Sequence, residues 1–142
     1  MSLETWFWIA HVPAVIGWIA LVALPARRGV AIARWAAALL ALGYAILFFA
    51  AGPQGQELAR NYSLDGVGAF FASRELLLLG WVHYLAFDLF VGSWEAEEGA
   101  RLGVPKRTLI ACLILTFLVG PLGLLAFLIA RAPRARGIVG GN

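Results

Sequence analysis

Apolar and polar positions divide the chain into four long apolar runs, separated by short breaks that carry the charges, prolines and most loop glycines. The first run is about Thr5 to Leu24 and ends at Pro25 and Arg27-Arg28. The second is about Trp35 to Ala51 and ends at Gly52-Pro53. The third is about Phe70 or Leu76 to Trp94, before Glu95, Glu97 and Glu98. The fourth is about Thr108 to Ala130, before Arg131 and Pro133. A helix needs about 20 apolar residues to cross the hydrocarbon of a bilayer, and each run is near that length. The pattern predicts an all-α integral membrane protein, a four transmembrane helix bundle. Residues 1–142 form one membrane domain, with helices near 5–24, 35–51, 70–94 and 108–130 and a basic, glycine-rich tail over 132–142.

The third run is not uniformly apolar. Arg74, Trp81, Asp88 and Glu95 recur every seven residues, and seven helical steps return to within about 20° of the same direction. Tyr84 stands one turn before Asp88 and joins that face. His83 lies about 100° round, toward Phe87, Phe90 and Trp94. An ionisable side chain at bilayer depth is costly unless it is paired or faces a wet cavity, so this stripe is expected to look inward. Apolar surroundings disfavour the charged form of a carboxyl or an imidazole alike, which suits such groups to exchanging a proton near neutrality. Asp88, His83 and Tyr84 are therefore the candidate catalytic residues. The structural alternative is that Asp88 only pairs with a neighbouring helix and His83 only bonds a carbonyl.

Two other runs carry polar or helix-breaking residues. His11 precedes Pro13 in the first, at a depth comparable with His83 if the third helix enters the hydrocarbon near Leu76. The fourth contains Thr116 and then Gly120-Pro121-Leu122-Gly123. Proline removes a backbone donor and glycine permits close approach, so this is read as a kink, either shaping a pocket or serving packing alone. Trp81, Phe87, His11, Thr116 and Pro121 are the candidate ligand contacts. The segment from Gly52 to about Ser73, with Glu57, Arg60, Tyr62 and Asp65 and then Phe70-Phe71, reads as an interfacial segment, a helix start or a lid.

Composition and charge sharpen the class. The chain is 62% apolar and 13% charged, against about half and a quarter in soluble domains. The net charge of +3 comes from ten arginines and one lysine set against eight acids. Because these lie between apolar runs, they point to topology and anionic lipid, not to nucleic acid. Arg27, Arg28 and Arg34 in the first loop and Arg101, Lys106 and Arg107 in the third place those loops in the cytoplasm, with both termini outside; Arg131, Arg134 and Arg136 run against that orientation. The start, Met-Ser-Leu-Glu-Thr, lacks the basic residues of a secretory signal and reads as a retained helix of a bacterial-type cytoplasmic membrane protein. Cys112 is the only cysteine, so no intrachain disulfide forms. No metal-ligand or phosphate-binding motif is present; haem between His11 and His83, the only histidines, is a minor alternative.

The stretch Gly80-Trp81-Val82-His83-Tyr84-Leu85-Ala86-Phe87-Asp88-Leu89-Phe90-Val91-Gly92 resembles the signature of the ABA4-like family. Leu115 to Leu125 forms a second matching block, and Gly17-Trp18 and Leu24-Pro25 match more loosely. One departure is Ser93, where the family pattern has a basic residue. The resemblance implies a four-span protein linked to carotenoids, whose plant members are tied to converting the epoxide violaxanthin to the allene neoxanthin. That isomerisation needs an acid for the epoxide oxygen and a base for a vinylic proton, roles that Asp88, His83 and Tyr84 can fill. The expected function is binding or isomerising a carotenoid or other isoprenoid. The alternative is a non-catalytic carotenoid or lipid binder. The lipid bilayer and a second copy in a homo-oligomer are the other expected partners.

Overall fold

The computed structural model describes residues 1–52 and 63–139, with side chains through Ala135. Among the described residues the chain forms six helices and no strand: α1 (Leu3–Ala23), α2 (Ala26–Ala50), α3 (Leu64–Ala72), α4 (Arg74–Arg101), α5 (Lys106–Val119) and α6 (Pro121–Val139). Three of them, α1, α2 and α4, are long and apolar enough to cross a membrane. The chain is all-helical as expected. The four-span arrangement is corrected, because the third apolar run opens with a separate short helix and the fourth is two helices.

Local chemistry sets the boundaries. Ser2 caps α1, its hydroxyl accepting from the Thr5 amide at 3.1 Å, and Pro13 leaves α1 unbroken. Leu24, before Pro25, turns to extended backbone, as residues before proline tend to do. α2 starts directly after Pro25, nine residues before the expected Trp35. Alanine and arginine both favour helix, and Arg27 and Arg28 sit exposed in its first turn while Gly29, Val30 and Ala33 are buried. The first apolar run thus ends where expected, but the arginines after it lie in the first turn of a helix and not in a loop. Ser73 divides α3 from α4, and its hydroxyl donates to Glu75 at 2.8 Å. Pro53, Glu57, Arg60 and Tyr62 lie outside the described residues, as do Gly140 to Asn142.

α4 is the centre of the molecule. It runs seven residues beyond the expected Trp94, to Arg101, so Glu95, Glu97 and Glu98 are helical. Its 28 residues make it about 42 Å long. α1 and α2 pack together through small residues, Ala10, Ala14, Gly17 and Ala20 against Gly29, Ala33, Ala36 and Ala37, which let helix backbones approach closely. Leu78, Val82, Leu85 and Leu89 of α4 complete that core. At one end Arg34 of α2 forms a two-bond ion pair with Glu97 of α4, at 3.1 and 2.5 Å.

The other side of α4 is covered by a helical hairpin. Gly120 adopts φ +30 and ψ −89, which L side chains rarely accept, and Pro121 cannot donate to the preceding turn. The chain therefore reverses instead of kinking. Gly99 of α4 faces both Leu109 and Phe127: a Cβ there would lie 3.0 Å from Leu109 Cδ1 and 3.4 Å from Phe127 Cε2. On one straight helix residues 109 and 127 would be about 27 Å apart. At the turn, Gly123 lies directly against the Thr116 backbone, with no room for a side chain. At the open end Arg131 Nη1 donates to Glu98 Oε1 at 2.9 Å. Thus α5 leaves the Arg101 end of α4, reaches its middle, and α6 returns to the same end. Leu102, Val104, Cys112 and Phe127 form the hairpin's own core, with Trp94 against it.

Candidate functional site

Asp88 is the fifteenth of the 28 residues of α4, and the hairpin tip meets it there. A Cβ on Gly120 would lie 2.9 Å from Asp88 Oδ1 and 3.0 Å from Oδ2, so only glycine lets the backbone rest on this carboxyl. Tyr84 stands one turn earlier, its hydroxyl interacting with the carboxyl. Asp88 Oδ2 is buried with no hydrogen-bond partner among the described residues. Such an oxygen loses its water without replacement.

On the N-terminal side of the tip, aromatic rings join α1 to α4. Trp81 stacks on Tyr84 with centroids 5.4 Å apart and on Phe7 at 6.1 Å. Its indole N–H donates to His11 Nε2 at 3.3 Å. Because indole is only a donor and a carbonyl only an acceptor, His11 carries its proton on Nδ1 and donates it to the Phe7 carbonyl at 2.7 Å. A recess of about 300 Å³ continues along this seam, lined by Leu3, Phe7, Leu77, Leu78 and Trp81, with Glu4 and Arg74 also on its wall.

On the other side of the tip lies a polar contact that is sealed from solvent. Glu95 is 0% exposed. The Thr116 hydroxyl is shared between its two oxygens, at 2.9 and 3.0 Å. Ser93, also buried, donates to the Phe90 carbonyl at 2.7 Å, so the position where the family pattern has a basic residue is filled and satisfied internally.

The fold thus brings Asp88, Tyr84, Trp81 and His11 to one seam, with Pro121 exposed beside Gly120 at the tip and Thr116 one turn before it, on Glu95. His83 and Phe87 stand elsewhere: they stack on each other at 4.5 Å, and His83 faces Tyr44 of α2 at 5.6 Å. Both are exposed. Haem does not fit the histidines, since both His11 nitrogens are engaged and His83 has other ring neighbours. No group of three or more metal-binding side chains occurs among the described residues. Glu95 was missed as a buried group. Its signal was present in the seven-residue spacing from Asp88, but it was set beyond the helix end.

Fold and site together define an all-helical protein with three helices of membrane-crossing length and a hairpin whose tip touches a carboxyl midway along the central helix. The chain belongs to the ABA4-like family, ABA DEFICIENT 4-like, whose model matches residues 5–127. No curated protein and no solved structure matches it.

Proposed function

We propose that this chain is an integral membrane protein that takes a long isoprenoid from the lipid and isomerises it by proton transfer between Tyr84 and Asp88, an epoxycarotenoid being the substrate that family membership favours. The observation that carries this reading is the unpartnered Asp88 oxygen beside a phenol, where the hairpin stops half-way along α4. Beyond the tip Trp81 and Tyr84 stay partly exposed, so a ligand in the bilayer reaches them sideways. Trp81, Phe7 and His11 wall that entry. Among the three candidate catalytic residues, the geometry favours Tyr84 and Asp88 over His83.

The chemistry balances without an oxidant. The Tyr84 hydroxyl protonates the epoxide oxygen as its C–O bond breaks. Asp88 removes the vinylic proton as the allene forms, leaving a tertiary alcohol. The proton on Asp88 then returns to the Tyr84 phenolate one turn away, which closes the cycle. General acid–base groups of this kind contribute about 10²–10⁴-fold each.

Asp88→Asn keeps the shape of the side chain and removes the base. Purified in detergent and supplied with an epoxycarotenoid, it should lose product by at least about 10²-fold while retaining wild-type helix content by circular dichroism. Wild-type turnover in that variant would reject the assignment. A second reading, binding without chemistry, is favoured by a wholly separate apolar recess of about 530 Å³ between α1 and α2, lined by Pro13, Leu39, Gly43, Leu47 and Val82 among others. Retained pigment that neither wild type nor Asp88→Asn transforms would establish it.

A further inference from the structure

Between α1 and α5 runs a groove of about 370 Å³, lined by Trp18, Val22, Ala23, Leu113, Ile114 and Phe117. It holds no charged side chain and lies on the opposite side of the hairpin tip from Trp81 and His11. Four cations follow or precede its lining residues by one or two helical turns in the chain. Lys106 and Arg107 precede Leu113 and Ile114 by seven residues each, so on α5 they stand two turns directly above the groove wall. Ala23 is followed within five residues by Arg27 and Arg28 at the start of α2. All four cations are exposed. None forms an ion pair among the described residues, whereas Arg34, Arg101 and Arg131 at the same end are neutralised by Glu97 and Glu98.

We propose that this groove binds one anionic phospholipid, its acyl chain along Trp18 and Phe117 and its phosphate among Arg27, Arg28, Lys106 and Arg107. An apolar slot alone would take any chain. The unneutralised cations at its mouth select a lipid whose headgroup carries net negative charge, as basic pockets between membrane helices do. The site is independent of Asp88 and of any reaction there.

The full chain is reconstituted in nanodiscs of equal phosphatidylglycerol and phosphatidylcholine, released into detergent, and the retained lipid is counted by native mass spectrometry. Wild type should keep phosphatidylglycerol in preference to phosphatidylcholine, and raised salt should release it. Neutralising the cations in R27Q/R28Q and K106Q/R107Q should lower its retention by about fivefold per charge. Ile114→Trp, which fills the groove without touching the charges, should lower it too. Glycerol phosphate, which has the anion and no chain, should fail to displace the lipid. Equal retention of both lipids by wild type, or full displacement by glycerol phosphate, would overturn the site. So would undiminished retention in both double variants, whose folding is checked by circular dichroism.

Discussion

At the scale of single residues, two acids on one face of α4 meet different fates. Asp88 keeps an oxygen without a partner, while Glu95 is enclosed and takes its one hydrogen bond from Thr116. Thr116→Val preserves volume and removes the donor, leaving a buried carboxyl bare, a change that costs about 1–3 kcal/mol. Thermal unfolding in detergent should therefore show a lowered midpoint; an unchanged midpoint would mean that the hydroxyl is dispensable. Tyr84→Phe should lose isomerase product by about 10²-fold or more, whereas His83→Ala should keep it, and comparable losses in both would return His83 to the site. The stripe was legible from sequence because helical periodicity alone places Trp81, Tyr84, Asp88 and Glu95 on one side. The burial of Glu95 was not. Three acids within four positions look like a solvated loop, and only the hairpin folded over them hides the first. His11 was expected near the depth of His83. Its partner is Trp81, because ring contacts across a helix pair depend on rotation, which depth does not fix.

At the scale of elements, the hairpin is what the apolar pattern concealed. Thr108 to Ala130 has the length and composition of a crossing, and Gly120-Pro121-Leu122-Gly123 reads from sequence as a kink, whereas the structure makes it a reversal. The difference lies in contacts with Gly99 and Glu98, which no local window contains. Gly120→Ala is the sharpest probe. It places a methyl on the Asp88 carboxyl and asks a side chain to accept a positive φ, which costs about 1–2 kcal/mol in backbone terms alone. We expect a lower unfolding midpoint together with reduced product, measured on the same preparation. A variant with both unchanged would show that the tip does not rest on Asp88. α2 offers the converse case, where Arg27-Arg28 looked like a loop yet opens a helix, since alanine-rich sequence with exposed arginines continues a helix readily.

At the scale of the whole molecule, three helices of membrane-crossing length and a hairpin distribute charge differently from four such helices. The end holding Arg27, Arg28, Arg34, Arg101, Lys106 and Arg107 also receives Arg131 and Arg134, because α6 returns to Glu98. The other end carries Glu4, Asp65, Arg74 and Glu75. The arginines of the tail that ran against the four-crossing orientation thus join the others at one end of the fold, and we predict from the preference for basic loops inside that this end faces the cytoplasm. The same prediction puts the two ends of α1 and α6 on opposite sides, which labelling can check. In a Cys112→Ala background, Lys106→Cys and Pro133→Cys should react with an impermeant maleimide from the same side of sealed vesicles, and Ser2→Cys from the other. Labelling of Pro133→Cys together with Ser2→Cys would restore a fourth crossing.

The returning arm also bears on how the protein is made. Since α5 and α6 begin and finish at the end where α4 finishes, a bilayer crossed by α1, α2 and α4 would not have to pass the hairpin. On that arrangement the contact of Gly120 with Asp88 would form after the three long helices are in place.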